Sequence, residues 1–324
     1  MVSCKEDANM RKTMLCAIDC DAEEREALRA GAERAGLPLV FASWGEWTAV
    51  PRGACVSVRH AMRVDETVLR ALRARNVTKV FTRSVGVDHV DLAAAARLGI
   101  SVRGVPYTPD CVAEYALTMM LMAARNLGAV LQRAREGDFR LEARRARELR
   151  EIRVGVVGTG RIGARVIALL RAMGCTVAAY DRTHIANVNY LPLDKLLSWS
   201  DLVTLHLPLT PATRHILSEE RLARMRPEAL LVNVSRGGLI DTPALCNALE
   251  QGRLAGAALD VVEGEQDWFY HNRRGETPPF ARLAALPNVI LTPHMAFYTR
   301  RALEDVARNT VEMCLEDEGR AANG

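Results

Sequence analysis

Arg153-Val-Gly-Val-Val-Gly158-Thr-Gly160-Arg-Ile-Gly163 begins the stretch that decides the fold, and Thr176-Val-Ala-Ala-Tyr180-Asp181 ends it. A short valine-rich run leads into Gly158-x-Gly160-x-x-Gly163. Ile162, Val166, Leu169, Leu170 and Met173 then recur at about 3.6 residues, the period of a helix with one buried face. A second apolar run follows and stops at a carboxylate. Strand, glycine turn, helix, strand and acid in that order form the fingerprint of a dinucleotide-binding unit. Gly158 allows a tight turn, Gly160 lets a pyrophosphate approach, and Gly163 lets the helix lie close on the sheet. The first helical turn offers unpaired N–H groups and the positive end of the helix dipole to phosphate. Asp181 is placed to accept hydrogen bonds from an adenosine ribose and to repel a 2′-phosphate, which favours NAD over NADP. Arg182 beside it pulls the other way. The expected cofactor-binding set from this stretch is Gly158, Thr159, Gly160, Arg161, Ile162, Gly163 and Asp181.

The chain has 324 residues, which is long for one core and suits two domains. Its 49% apolar and 25% charged residues are the mixture of an ordinary globular protein. No apolar run is long enough to span a membrane. The start, with Lys5, Glu6 and Asp7, lacks the basic-then-apolar order of a signal peptide. The 8 cysteines are scattered, Cys16 and Cys20 miss the CxxC spacing, and most lie in apolar context. Reduced core thiols in a cytoplasmic protein are expected. The net charge of +4 is small and the arginines alternate with acids rather than aromatics, so no nucleic-acid partner is expected.

Along the chain, residues 1–12 read as a loose tail. Strands are expected at Met14–Ile18, Leu37–Phe41, Ala54–Val58, Val80–Thr82 and Ile100–Arg103. Between them lie helices opened by Asp21-Ala-Glu-Glu24, a capping box, and by Asp65. Such alternation predicts a parallel α/β sheet covered on both faces. Val112–Leu127 is apolar nearly all round, which predicts a helix covered on every side. The arginine-rich residues 133–151 read as a solvated, salt-bridged helix and linker. After Asp181 the alternation resumes, with strands at Leu202–His206, Ala229–Val234, Ala257–Leu259 and Asn288–Leu291. A last helix, Ala302–Leu315, is a candidate to fold back on the first domain.

Ligands of an open α/β sheet bind past the carboxyl ends of its strands. Asp181, His206, Arg236, Asp260 with Glu265, and His294 all stand at such ends. Hydride transfer to a ketone builds charge on the carbonyl oxygen, and an imidazolium is the natural proton donor near neutral pH. His294, held by Pro293, is the better candidate, and Glu265 is placed to orient it. His206, flanked by Pro208 and leucines, reads as an edge of the cofactor pocket. An arginine fork such as Arg236 clamps a carboxylate and polarises a carbonyl. The His, Asp and Glu spacings give no metal-ligand pattern, so no metal is expected.

Several runs together carry a family resemblance: Thr82-Arg-Ser-Val-Gly-Val-Asp-His-Val-Asp91, Val105-Pro-Tyr-Thr-Pro-Asp110, Val112-Ala-Glu-Tyr115, the glycine stretch, Val203-Thr-Leu-His-Leu-Pro-Leu209, Asn233-Val-Ser-Arg-Gly-Gly238, Ala258-Leu-Asp-Val-Val-Glu-Gly-Glu265 and Leu291-Thr-Pro-His294. In this order they resemble the D-isomer-specific 2-hydroxyacid dehydrogenases, and within them the D-lactate dehydrogenases of vancomycin-type resistance. The resemblance implies two Rossmann-like parallel-sheet α/β domains with the active cleft between them. A discontinuous substrate domain would take residues 1–111 and 300–324, and an NAD-binding domain residues 112–299. Arg236 would bind the carboxylate and carbonyl of a 2-keto acid, His294 would give the proton, and Glu265 would hold it. Asp260 would position the nicotinamide carboxamide, and His206, Pro208 and Ser235 complete the cofactor-binding set. Val85 and Gly86 would meet the substrate carboxylate through backbone N–H groups, with Tyr107 and Tyr298 near the substrate. Trp268-Phe269-Tyr270 matches an aromatic segment of the same branch, and its composition suggests a buried anchor for loop 266–285. Homodimers through the cofactor domain are implied too.

The expected reaction is reduction of a small 2-keto acid by NADH, with pyruvate to D-lactate the first choice. An aromatic or branched 2-keto acid reductase is one alternative, and a non-enzymatic, NAD-sensing corepressor-like protein another. Family members that carry an uncharged residue in place of Asp181, some of them using NADP, keep NADP as the second choice of cofactor. Arg103 and Gly104 depart from the family pattern without an explanation in the sequence.

Overall fold

A computed structural model describes residues 13–141, 145–266 and 268–321, so the expected tail at 1–12 lies outside the described residues. The chain divides into two compact units, Met1–Thr108 with Arg300–Gly324, and Pro109–Thr299.

The first unit runs β1 (Leu15–Ile18), α1 (Ala22–Ala35), β2 (Leu39–Ala42), β3 (Cys55–Val58), α2 (Glu66–Ala74), β4 (Lys79–Thr82), α3 (Leu92–Arg97) and β5 (Ser101–Gly104). Its sheet has the order β2-β1-β3-β4-β5, every pair parallel. β1 and β3 are buried at every position, as strands covered on both faces must be. The capping box forms at α1: the Glu24 N–H donates to Asp21 Oδ1 at 2.9 Å, and the Asp21 N–H to Glu24 Oε2 at 3.1 Å. Arg83, just past β4, is buried. Its guanidinium donates to Ile18 O at 2.8 Å, Ser57 O at 3.1 Å and Glu24 Oε1 at 3.1 Å. It therefore ties the carboxyl ends of β1, β3 and β4 together, and each of its charged bonds is satisfied.

The second unit opens with two helices, α4 (Asp110–Ala124) and α5 (Leu127–Arg135). Then come β6 (Arg153–Val157), α6 (Arg161–Ala172), β7 (Thr176–Tyr180), α7 (Leu193–Trp199), β8 (Leu202–Leu205) and α8 (Glu219–Leu222). β9 (Leu230–Asn233), α9 (Thr242–Glu250), β10 (Gly256–Leu259), α10 (Ala281–Ala284) and β11 (Val289–Leu291) complete it. The sheet order is β11-β10-β9-β8-β6-β7, again all parallel. The chain winds outward from β6 in both directions, first to β7 and then to β8, which makes the β6/β8 edge a topological switch point.

Two helix expectations change. On α4, Cys111, Val112, Ala113, Ala116, Met119 and Met120 are buried, but Leu121 is 38% exposed, so this helix is not covered on every side within the chain. Apolar composition does not say which face has a neighbour. The helix expected across 133–151 stops at Arg135, because Gly137 turns into the left-handed region at φ +84°. Residues 142–144 of that stretch lie outside the described residues. The last helix, α11 (Arg300–Ala321), is longer at both ends than expected and returns to the first unit. There Val306, Ala307, Val311 and Cys314 share a core with Leu15, Leu28 and Ala32.

The described cysteines are all free and buried. Burial pushes the Cys16 and Cys20 thiols up to about 11, so both stay protonated and unreactive at neutral pH.

Asp201 anchors the lower edge of the second sheet. It accepts from Arg153 Nε at 3.0 Å, Arg153 Nη2 at 3.1 Å and the Arg153 N–H at 3.0 Å, and it pairs with Arg147 and Arg226. Burial alone would raise its pKa. The Arg153 guanidinium and N–H, joined by Arg147, outweigh that and hold the carboxyl well below the usual carboxylate range. Its stabilisation is therefore present above the unfolded carboxyl value of about 3.9 and lost as pH falls below it. Asp201→Asn should destabilise the protein by about 2 kcal/mol at pH 7, the scale of charged hydrogen bonds whose arginine partners stay partly solvated. Thermal unfolding of both proteins at pH 7 and pH 3 checks this: the gap should shrink at pH 3, and an equal gap at both would contradict it.

Candidate active site

The glycine turn lies at the switch point. Gly158 has φ +99°, and a Cβ there would stand 2.5 Å from His206 O, so the ends of β6 and β8 abut only because the residue is glycine. A Cβ on Gly163 would sit 1.9 Å from Gly158 O, which fixes how closely α6 crosses the turn. At Gly160, by contrast, a Cβ would meet nothing within 4 Å. That open space lies at the N-cap of α6, which has no side-chain cap. A pyrophosphate fits both facts: room above the second glycine and N–H donors at the helix start. Arg161 and Ile162 form the first turn of that helix.

Asp181 follows β7 and reaches back to the turn. Its Oδ2 accepts the Thr159 N–H at 2.6 Å and the Thr159 hydroxyl at 3.1 Å, and its Oδ1 accepts the N–H groups of Arg182 and Thr183. Burial pulls its pKa up, but these donors outweigh it and hold the carboxylate below its ordinary range. It is ionised at neutral pH and locked to the glycine turn. Tyr190 extends the lock, donating to Thr159 Oγ1 at 2.9 Å with its ring stacked on His184 at 3.8 Å.

His206 differs from His294 in kind. Its Nε2 bonds Thr204 Oγ1 at 3.0 Å, while Nδ1 is shut from solvent and without a protein partner. The residue as a whole is half-buried with Nδ1 out of reach of solvent, and burial pushes its pKa down to about 3. A neutral ring with an unmet polar nitrogen beside the glycine turn suits a wall that a cofactor completes. Pro208 and Ser235 flank it: Thr213 Oγ1 donates to Pro208 O at 2.6 Å, and Ser235 Oγ to Leu205 O at 2.7 Å.

Two strands further along the sheet, the chemistry gathers. Glu265 Oε1 meets His294 Nδ1 at 2.7 Å, both side chains being mostly buried, and Glu265 Oε2 accepts the Val262 N–H at 2.7 Å. His294 has φ +50°, a left-handed conformation that a histidine adopts only when its surroundings impose it. Those surroundings are largely Asp260. This fully buried carboxylate accepts Thr292 Oγ1 at 2.7 Å, the Met295 N–H at 2.9 Å and the Ala296 N–H at 2.8 Å, while its backbone carbonyl takes the His294 N–H at 2.7 Å. The sequence pointed to Asp260 as a cofactor contact. The structure gives it a grip on the loop that carries His294, which no spacing in the sequence shows.

Arg236 is placed by its neighbour. A Cβ on Gly237 would lie 2.1 Å from Val262 C and 2.4 Å from Glu263 N. The loop after β9, which carries Arg236, thus runs backbone-on-backbone against the loop after β10, which carries Glu265. The Arg236 guanidinium donates to Ser235 O at 2.7 Å, and its carbonyl accepts Asn233 Nδ2 at 2.9 Å. Tyr298, 66% exposed, stands edge-on to Phe297, whose ring in turn faces His294 at 6.1 Å. The segment expected as a buried anchor is mixed: Phe269 is buried against Phe280, Trp268 is partly buried, and Tyr270 is 47% exposed.

Val85, Gly86 and Tyr107 belong to the first unit. Val85 is 47% exposed at the tip of a loop pinned by Ser84 Oγ and Thr82 Oγ1, which both donate to Gly86 O. Gly104 now has a reason: a Cβ there would fall 2.3 Å from Val85 O, so only glycine lets β5 close on this loop. Tyr107 packs at the edge of the core formed with α11. Among the described residues no cluster of three or more His, Cys, Asp or Glu could hold a metal ion, and no helix is long and apolar enough to cross a membrane.

A dinucleotide cradle at the switch point and an imidazole–carboxylate pair on the neighbouring strand ends are the equipment of a nicotinamide-dependent oxidoreductase. The comparisons narrow that class. Residues 117–296 match the family described as D-isomer specific 2-hydroxyacid dehydrogenase, NAD binding domain, and the chain belongs to this family as an NAD-dependent D-2-hydroxyacid dehydrogenase. It is 43% identical over 318 residues to a D-specific alpha-keto acid dehydrogenase of Enterococcus faecium, covering 96% of this chain and 99% of that one. The crystal structure of D-lactate dehydrogenase from Aquifex aeolicus, complexed with NAD and lactic acid, superposes with a TM-score of 0.83 at 30% identity, covering 95% of this chain and 96% of that one. D-2-hydroxyisocaproate dehydrogenase gives a TM-score of 0.83 at 28% identity, covering 95% and 98%.

Proposed function

We propose that this enzyme reduces pyruvate to D-lactate with NADH. His294 gives the proton to the carbonyl oxygen, Glu265 orients its ring, and Arg236 clamps the substrate carboxylate and polarises the carbonyl. When bound, the nicotinamide supplies the hydride. The contact that carries this reading is Glu265 Oε1 to His294 Nδ1 at 2.7 Å. It commits Nδ1 to the carboxylate and so assigns Nε2 to the substrate. The family resemblance assigns the backbone N–H groups of Val85 and Gly86 to the substrate carboxylate, and Tyr107 and Tyr298 to the substrate. Asp260 serves the nicotinamide carboxamide as well as the His294 loop.

Asp181, ionised and fixed to the turn, supports NADH over NADPH. The likeness to the Enterococcus faecium D-specific alpha-keto acid dehydrogenase supports a 2-keto acid as the substrate, and a place in the branch of vancomycin-type resistance rests on the sequence resemblance alone. Phe139 and Leu141, 80% and 97% exposed, together with Leu121, Leu127 and Leu131, support a homodimer joined through the cofactor unit. The free, buried thiols support a cytoplasmic setting. A second reading, an aromatic or branched 2-keto acid, draws on the Phe297–Tyr298 ring pair beside His294.

Steady-state assays with pyruvate, 2-ketobutyrate, 2-ketoisocaproate and phenylpyruvate, each with NADH and NADPH, test the proposal. Pyruvate with NADH should give the highest kcat/KM. A preference for phenylpyruvate or 2-ketoisocaproate would move the assignment to the second reading, and no turnover with any acid would favour an NAD-sensing role.

A further inference from the structure

We propose that Tyr270 is a positioning residue for the proton donor, acting through the main chain of His294; this rests on the reading of His294 given above. The Tyr270 hydroxyl donates to the carbonyl oxygen of His294 at 2.8 Å. The N–H on the other side of the same peptide, that of Met295, donates to Asp260 Oδ1 at 2.9 Å. One peptide plane is thus pinned at both edges, its oxygen by a phenol and its nitrogen by a buried carboxylate.

The pinning matters because of where His294 sits. Its φ of +50° is a conformation that non-glycine residues leave unless several contacts hold them there. The His294 N–H is fixed by Asp260 O, and the ring by Glu265. Rotation about ψ is restrained from two sides, by the Met295 N–H on Asp260 and by the Tyr270 hydroxyl on the carbonyl, and the second is the one a side-chain change outside the buried carboxylate removes. Loss of that restraint swings the Cα–Cβ direction and loosens the imidazole against Glu265. Tyr270 can do this because its own loop is fastened one residue earlier. Phe269 is buried against Phe280 with ring centroids 5.5 Å apart, and Tyr270, itself at φ +67°, turns outward from that anchor. Half the tyrosine faces solvent, so water takes over part of the bond when the hydroxyl is removed, and the effect stays moderate.

A double-mutant cycle tests the proposal with pyruvate and NADH. Tyr270→Phe should lower kcat about three- to tenfold, the net worth of one hydrogen bond, with NADH affinity unchanged in a fluorescence titration. It should also raise the solvent deuterium isotope effect on kcat, as proton transfer becomes slower. In a His294→Gln background the same change should cost almost nothing more, because there is no proton donor left to position. An unchanged kcat in Tyr270→Phe overturns the proposal. So does an equal fold-loss in both backgrounds, which would mark a general effect on the loop. Full turnover by His294→Gln alone overturns the reading of His294 itself, and this proposal with it.

Discussion

His294→Gln should lose kcat by about 10²- to 10⁴-fold at neutral pH, the usual contribution of a positioned general acid. Glutamine is close to histidine in reach and can still donate an amide N–H to Glu265, so the loop held by Asp260 has no reason to collapse. What it cannot do is deliver a proton. His206 is the obvious understudy, but burial pushes it down to about 3, and it carries no proton to give at pH 7. The glycine turn lies past β6, with β8, β9 and β10 between it and β11, so NADH affinity should stay near that of the parent. Steady-state NADH oxidation with pyruvate, paired with an NADH titration, measures both quantities. Near-full turnover in this variant would remove His294 from the chemistry.

The two histidines also show what sequence can and cannot settle. Both follow a strand, both precede or flank a proline, and residue type alone favours neither. Pairing with Glu265 was a chemical expectation, and in the structure Glu265 Oε1 stands 2.7 Å from His294 Nδ1. The glycine turn was legible because its constraints are local: positive φ at Gly158 and close packing at Gly163 act within a few residues and against the next strand. Parallel alternation was legible for the same reason, since strands covered on both faces are apolar at most positions. The remainder depends on pieces far apart in the chain. Asp260 grips residues 292–296 only after β11 has docked beside β10, and nothing near Asp260 announces it. Gly237 and Gly104 read as loop glycines until the backbones they face, at Val262 and Val85, are in place. Arg83 looks like a loop cation and is a buried tie among three strands. Exposure of Leu121 was hidden because an apolar run states a preference for burial, not the surface that satisfies it.

Arg236→Ala should lower kcat/KM for pyruvate by about 10²- to 10³-fold, in the range found when a preorganised donor to a developing oxyanion is removed. The loss should fall on both parameters. A carboxylate clamp contributes to ground-state binding and raises KM when lost, and a group that polarises the carbonyl gains strength as charge builds, which appears in kcat. Arg236→Lys separates the two roles. It keeps the positive charge but not the planar fork, so it should recover part of KM and little of kcat. The backbone around the site should survive either change, because Gly237 against Val262 and Asn233 Nδ2 on the Arg236 carbonyl hold this loop without using the guanidinium. Cofactor affinity is the control. The Arg236 side chain leaves β9, whereas the N–H donors for a pyrophosphate stand at the start of α6. NADH should therefore bind the alanine variant about as tightly as the parent. If NADH affinity collapsed instead while the kinetic constants for pyruvate held, the guanidinium would be a cofactor ligand and not the clamp on the keto acid.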